Sequence, residues 1–400
     1  MTRLDTQLTD VRSLERTALG IGAVALALCL IAGYFDRRQF FSSYLYAYVF
    51  WVGIPLGSLG VLMIQHLVGG TWGFVIQRPL EAAIRTFPLM AILFIPILFG
   101  ASDLYPWARS AVLAHNPKLQ AKAAYLNLPF FTGRAVVYFA IWIWVGYLLV
   151  KWSRDVDRTG DYSFIRRIET LSGPGLVLYG LTVTFSAIDW LMSLEPEWYS
   201  TMYGMIFIVS HGLVALAFMI IVAFFVSRLE TLSELMEPWI FQDLGNMLLA
   251  FAMLWVYTSF GQFLLIWIEN LNHEIPWYIR RMFSTWGSIG VAVFALQFGL
   301  PMVLLLSRLV KRRTAALACV AALVFFMHLV EMFWFVGPAF HPVQFSISWT
   351  DLLAPIGLGG FWIATFVWQL KSLPLLPYRD ARFLASVEEH GLMHDGPIRS

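Results

Sequence analysis

The sequence predicts an all-α integral membrane protein with about ten transmembrane helices. Three observations carry this. Of 400 residues, 59% are hydrophobic and 13% are charged, where a soluble globular chain carries about 25% charged residues. Too few charges remain to cover a soluble surface of this size. Apolar runs of about 20 residues, the length that crosses a hydrocarbon core of about 30 Å, recur along nearly the whole chain. Many of the 17 Trp and 15 Tyr residues sit at the ends of those runs, as in Asp103-Leu-Tyr-Pro-Trp107 and Pro196-Glu-Trp-Tyr199, where an interfacial aromatic belt belongs. The same rings also offer a flat apolar surface to a soluble partner.

Residues 1–16 are polar and mixed in charge and read as a cytoplasmic N-terminal segment. Span 1 covers 17–35. It has no small-x-small cleavage pattern before Tyr34 and reads as a retained span rather than a removed signal peptide. Span 2 covers 44–67. Span 3, at 83–101, carries Pro88 and Pro96, and span 5, at 171–192, carries Pro174. Proline is tolerated in a span when neighbours satisfy the freed carbonyls. Span 4 lies between them at 130–150. Spans 6 to 10 follow at 203–226, 244–268, 284–307, 314–336 and 350–370, and a cytoplasmic tail covers 371–400. The membrane domain is therefore 17–370. The longest external loop is 102–129; no soluble domain, low-complexity tract or clear repeat is visible.

Ten spans put both termini on one side. Most of the 27 Lys and Arg residues fall on the side of the termini, including those around Arg78 and Arg85, between Lys151 and Arg167, and between Arg308 and Arg313. The positive-inside rule then makes both termini cytoplasmic. The opposite side holds Arg37, Arg38, Arg109, Lys118, Lys122, Arg134, Arg280 and Arg281. The two cysteines, Cys29 and Cys319, lie in apolar runs and are too few for an iron–sulfur cluster or a structural zinc site. No Cys-x-x-Cys-His is present, so no c-type haem is attached to this chain.

A carboxylate in hydrocarbon costs about 2.5 kcal/mol or more at mid-span, yet span 9 reads Phe-Met-His328-Leu-Val-Glu331. His328 and Glu331 are three residues apart and share a helix face. Asp189 near the outer end of span 5, His211 in span 6, Gln262 and Glu269 in span 7 and Gln297 in span 8 add polar groups. Asp103, Glu195, Glu197, His273, Glu274, His341 and Asp351 crowd the outer rim. A ladder of titratable groups from mid-membrane to one surface suits proton movement. Its inner half would need His66, Glu81 or Asp243. Ordinary readings stand beside these: His211 bonded to a neighbouring helix's carbonyl, Asp189 snorkelling to the interface, and Glu269 simply solvated. Haem b would need facing histidines, which only His211 and His328 could supply, if spans 6 and 9 touch.

The runs His66-Leu-Val-Gly-Gly-Thr-Trp-Gly-Phe74 with Arg78-Pro-Leu-Glu-Ala-Ala83, Asp103-Leu-Tyr-Pro-Trp-Ala108, Ser172-Gly-Pro-Gly-Leu-Val-Leu-Tyr-Gly180 continuing through Ile188-Asp-Trp-Leu-Met-Ser-Leu-Glu-Pro-Glu-Trp-Tyr199, Gly261-Gln-Phe-Leu-Leu-Ile-Trp-Ile-Glu-Asn270 and Pro276-Trp-Tyr-Ile-Arg-Arg281 together resemble the polysulfide-reductase (NrfD-type) membrane subunits. More narrowly, they resemble the second such subunit (the ActF type) of bacterial alternative complex III. The resemblance covers nearly the whole chain. It implies two four-helix bundles, spans 2–5 and 6–9, flanked by spans 1 and 10. It implies a membrane subunit of a quinol:cytochrome c oxidoreductase in the bacterial inner membrane. Its partners would be a sister NrfD-like subunit, multihaem c-type cytochrome and iron–sulfur subunits that hold the redox centres, lipids, and a terminal oxidase. Nucleic acid is not among them. By position in the motifs, the resemblance nominates Asp103, Asp189, His211, His328 and Glu331 for proton movement. A quinone or a lipid would be the ligand, with no cofactor bound covalently. Relatives often end the span 7 motif with Gly-Asn, whereas here Glu269 precedes Asn270. Two other readings remain open: a catalytic subunit that binds quinone itself, with a His/carboxylate pair as base, and a stand-alone secondary transporter.

Overall fold

The computed structural model describes residues 3–228 and 238–372; the predicted tail beyond 372 lies outside them. Among the described residues the chain is helical and without strands. Nine helices are long and apolar enough to cross a membrane, and a bent pair makes a tenth. In chain order these are α1 (Arg3–Phe35), α2 (Arg37–Val68), α3a (Thr71–Ile84) with α3b (Phe87–Phe99), α4 (Leu128–Thr159), α5 (Tyr162–Trp190), α6 (Tyr203–Val226), α7 (Pro238–Glu269), α8 (Trp286–Leu306), α9 (Thr314–Phe340) and α10 (Trp349–Lys371). The region expected to be a polar N-terminal segment is continuous with α1 from Arg3.

Span 3 departs most from its expected bounds. It begins near 71 rather than 83 and bends by 41° between Ile84 and Phe87. Pro88 explains the break, since it cannot donate to the carbonyl of Ile84 and its ring crowds that oxygen. The Arg37–Asp103 ion pair at 3.3 Å, and Gly100 against the Phe41 ring, set the end of α3b beside the start of α2. The bent pair therefore runs the length of α2. Pro174 in α5 causes no such break. Glu15 reaches Lys371 at 2.6 Å, which brings the first and last helices together at one end of the molecule, here the terminal end.

Two four-helix bundles are present. In the first, α2 packs on α3 and α5, and α4 packs on α3 and α5. In the second, α6 packs on α7 and α9, and α8 packs on α7 and α9. Contacts between the bundles run α2 to α6, α2 to α9 and α5 to α6, with α3a also against α6 and α7. Exchanging α2–α5 for α6–α9 preserves the contacts among α2, α5, α6 and α9, while the packing of α3a on α6 has no comparable counterpart between α7 and α2. The α1/α10 pair leans against α2.

Lipid is as apolar as leucine, so membrane helices associate through close packing and small residues. At Gly57 of α2 a Cβ would lie 1.8 Å from the backbone oxygen of His211 in α6. At Gly22 of α1 it would lie 2.8 Å from the Cα of Gly360 in α10. Gly60 leaves room for the Tyr179 ring of α5, whose carbons would be 3.1 Å away.

Outside the spans, Asn116 and Lys118 bond the Glu197 carboxylate at 3.1 and 3.2 Å. Lys122 reaches the carbonyl of Pro196 at 2.6 Å. This clasps loop 102–129 to the α5–α6 connection. The hydrogen bonds from Asn116 and Lys118 hold the Glu197 carboxyl below the usual glutamate range.

Gly57→Ala is expected to cost about 3 kcal/mol, the upper end for overpacking, because backbone rather than a flexible side chain blocks the methyl. Gly180→Ala, where nothing lies within 4 Å, is expected to be neutral or mildly stabilising; melting midpoints in detergent compare the two. A depressed carboxyl pKa stabilises the fold above the unfolded value, and that gain is lost as pH falls through the folded value. Protection factors in 110–122, which are exchange rates corrected for the intrinsic pH dependence of amide exchange, are therefore expected to fall as pH drops below the ordinary glutamate range.

Candidate functional site

The polar residues of the second bundle converge on Glu331. It is 1% exposed and His328 is fully buried. Oε1 of Glu331 accepts from Trp255 Nε1 of α7 at 2.7 Å. Oε2 accepts from Ser210 Oγ of α6 at 2.7 Å and from Gln297 Nε2 of α8 at 2.9 Å. His328 Nδ1, one turn back on α9, lies 2.9 Å from Oε2. All four helices of the bundle thus contribute to one carboxyl group. Hydrogen bonds to a charged group are worth about 1.5–3 kcal/mol each, enough together to offset the cost of burial.

Local sequence explains each position. The spacing of His328 and Glu331 gives them one face of α9. Gln297 lies in a π-helical turn, Phe294–Gly299, inside α8. Pro301 follows it by four residues, so it can neither donate to the Gln297 carbonyl nor fit behind it in a regular helix. The widened turn relieves that clash and carries Gln297 to the carboxylate; such turns often mark functional sites. His211 is held against α2 at Gly53. A Cβ there would lie 3.3 Å from His211 Nε2 and 3.6 Å from His328 Nε2. Helices α6 and α9 do touch, and the two imidazoles stand 6.4 Å apart, edge to face. The Phe50 and Phe207 rings lie against them at 5.7 and 5.8 Å, and α2 closes the remaining side. This packing does not fit a porphyrin between the histidines. Among the described residues no group of three or more His, Cys, Asp or Glu could hold a metal ion.

Four buried nitrogen and oxygen atoms of this cluster have no hydrogen-bond partner: both ring nitrogens of His211, Nε2 of His328 and Oε1 of Gln297. Beside the cluster is a cavity of about 340 Å³ between α7, α8, α9 and the short helix Ile275–Met282. Glu331, Trp255, Trp277, Tyr278, Arg281 and Phe335 line it. Arg281 is 1% exposed, sits 3.8 Å over the Trp277 ring and pairs with Glu195 at 2.8 Å.

The remaining nominated residues lie elsewhere. Asp189, at the end of α5, does not snorkel to the surface. It is buried in the first bundle, held by Arg134 of α4 through two bonds of 2.8 Å and by Tyr138 at 2.8 Å. Glu81 is fully buried in a network with Arg78, Gln77 and Ser153, and Arg78 also binds Asp157 at 2.6 Å. Asp103 is 27% exposed beside Arg37. Glu269 is exposed at the end of α7, and Asp243 is half-buried at its start. His66 is buried at the terminal end of α2, about 20 Å along that helix from Gly53. Asp351 caps α10 through its bond to the Ser348 N–H at 2.8 Å and receives Ser43 Oγ at 2.6 Å.

Sequence reasoning missed Ser210, Trp255 and Gly53, whose residue types are ordinary in spans. It also counted Arg78, Arg134, Arg281 and Lys311 as loop charges. Each is buried, and Lys311 bonds Asn246 at 2.6 Å. A signal was available for two of them: Arg78 and Glu81, three residues apart, and Arg134, four residues into an otherwise apolar run.

Arg134→Ala is expected to destabilise the protein by about 3–5 kcal/mol, because it strands a buried Asp189. Replacing both partners, Arg134→Met with Asp189→Leu, is expected to recover most of that loss. A double-mutant cycle on melting midpoints measures it.

No protein-family model matches the chain, and no curated protein matches it. The functional reading therefore rests on the site and on the sequence resemblance.

Proposed function

We propose that this chain is a membrane subunit of a quinol:cytochrome c oxidoreductase, or of one serving another periplasmic acceptor, in the bacterial inner membrane. It anchors the complex and carries protons through its second bundle. One observation supports this most: among the described residues, His328 is the only ionisable hydrogen-bond partner of the buried Glu331. A buried carboxyl must be paired or neutral, and this pair meets either condition by moving one proton over 2.9 Å. In the charged form His328 holds it on Nδ1; in the neutral form Glu331 holds it. Such a pair accepts and releases a proton without leaving a bare charge in hydrocarbon.

On this reading the termini face the cytoplasm, as the Lys and Arg distribution suggests. Electrons travel in the multihaem cytochrome and iron–sulfur partners, beside a sister NrfD-like subunit, lipids and a terminal oxidase. The cavity favours a second reading, in which this chain itself takes a quinol ring between Trp255, Trp277 and Phe335 with Glu331 as base. The similar central contacts of the two bundles are compatible with a transporter. Transporters, however, commonly break helices at a midplane site, whereas the break in α3 brings Arg85 within 2.6 Å of Ser372 at the terminal end.

Glu331→Gln is expected to leave assembly intact and to lower the protons released per electron during quinol oxidation by the reconstituted complex. An unchanged ratio removes Glu331 from the path. A photoaffinity quinone that labels Trp255 or Trp277, rather than only the sister subunit, would establish the second reading.

A further inference from the structure

Each bundle holds a buried carboxylate on its last helix, Asp189 on α5 and Glu331 on α9, but with different partners. In the first, Arg134 of α4 grips Asp189 of α5. In the second, Gln297 of α8 bonds Glu331 of α9. Arginine has five donors and no acceptor and stays charged, so it can serve only an ionised carboxylate. An amide has donors on one edge and an acceptor on the other. Gln297 uses its donor edge on Glu331, while its Oε1, fully buried, has no partner. Nearly every buried polar atom is satisfied in some state of a protein.

We infer that Gln297 is a two-state amide that turns over with the proton on Glu331. With Glu331 ionised, Nε2 donates to Oε2. When a proton arrives at Oε2, the carboxyl becomes a donor and needs an acceptor. Trp255 cannot supply one, since its indole only donates. His328 Nδ1 accepts it when that nitrogen has given up the proton, but not when a further proton reaches the pair while Nδ1 keeps its hydrogen. Ser210 Oγ can accept only by turning its own hydrogen toward Nδ1 at 3.1 Å, which is closed in that state. A half-turn about the last side-chain torsion of Gln297, which is broad and two-fold, brings Oε1 to the new O–H. One hydrogen bond is exchanged for another. The other titratable or charged groups nearby are His328 on the same helix, His211 and Tyr203 on α6, and Arg281 of the short helix that lines the cavity. None of these bonds Gln297. The π turn thereby acquires a purpose: it holds at the carboxylate a side chain that fits both of its protonation states. Gln297 is a positioning residue acting through Glu331, and the inference rests on Glu331 exchanging protons.

Infrared difference spectra of the full chain in lipid, acidic minus neutral, test it with glutamine labelled at the side-chain carbonyl. The expected wild-type result is a carboxylic-acid band together with a shift of one labelled glutamine band, both absent from Glu331→Gln. Gln297→Lys, which can only donate, is expected to reduce the acid form at neutral pH by about tenfold or more. Gln297→Met is expected to retain the acid band at a displaced frequency. An acid band with no glutamine shift in the wild type overturns the inference, and that measurement needs no variant at Gln297 to fold. A Gln297→Met band with wild-type frequency and pH dependence overturns it also, by assigning the proton to Ser210 or His328. If the glutamine shift appears while Glu331→Gln leaves proton release unchanged, the proposed function fails and the amide turnover stands.

Discussion

At Gly57, α2 and α6 meet backbone to backbone, with no space for a methyl group between them. Helices in lipid have no hydrophobic drive toward one another, so such close contact is what holds them. The rest of the site follows from it. The crossing sets His211 against Gly53, one turn earlier on α2, and sets Ser210 toward α9, where it bonds Glu331 at 2.7 Å. With α6 fixed on α2, both bundles share one seam. Helix α9 then reaches α2 as α5 reaches α6, which is the origin of the repeated contact pattern.

Within that frame the chain buries charge in two ways. Asp189 and Glu81 face arginines, which never release their protons. Glu331 faces an imidazole, an amide, a hydroxyl and an indole, three of which can alter their hydrogen bonding. The first bundle is electrostatically static and the second is responsive. The same distinction explains why the nominated residues differ in standing: Asp189 is built into the fold, whereas Glu331 keeps a choice.

Much of the fold was legible from apolar run length alone, because a span must have a minimum length; α6, 203–226, was bounded correctly from sequence. Span 3 was misplaced because Gln77, Arg78 and Glu81 look like a loop until their partners on α4 are known. The pairing of His328 with Glu331 could be read, since helical periodicity is local. Their partners could not, since Ser210 and Trp255 are common in spans and gain meaning only when α6 and α7 close around α9. Charge counting gave no warning that Arg134 and Arg281 are buried, for the positive-inside rule weighs position along the chain and not depth. The likeness of the two bundles could not be read, because it lies in which central helices touch and not in matching residues.

The α1/α10 contact bears on how the protein is made. Gly22 and Ala18 of α1 meet Gly360 of α10 almost backbone to backbone, and Glu15 meets Lys371. These partners are far apart in the sequence, so α1 leaves the ribosome long before its complementary surface does. Until the tenth span is inserted, the small-residue face of α1 has only lipid beside it. Closure of that pair waits on α10, so the intervening spans are made before the small-residue face of α1 is covered.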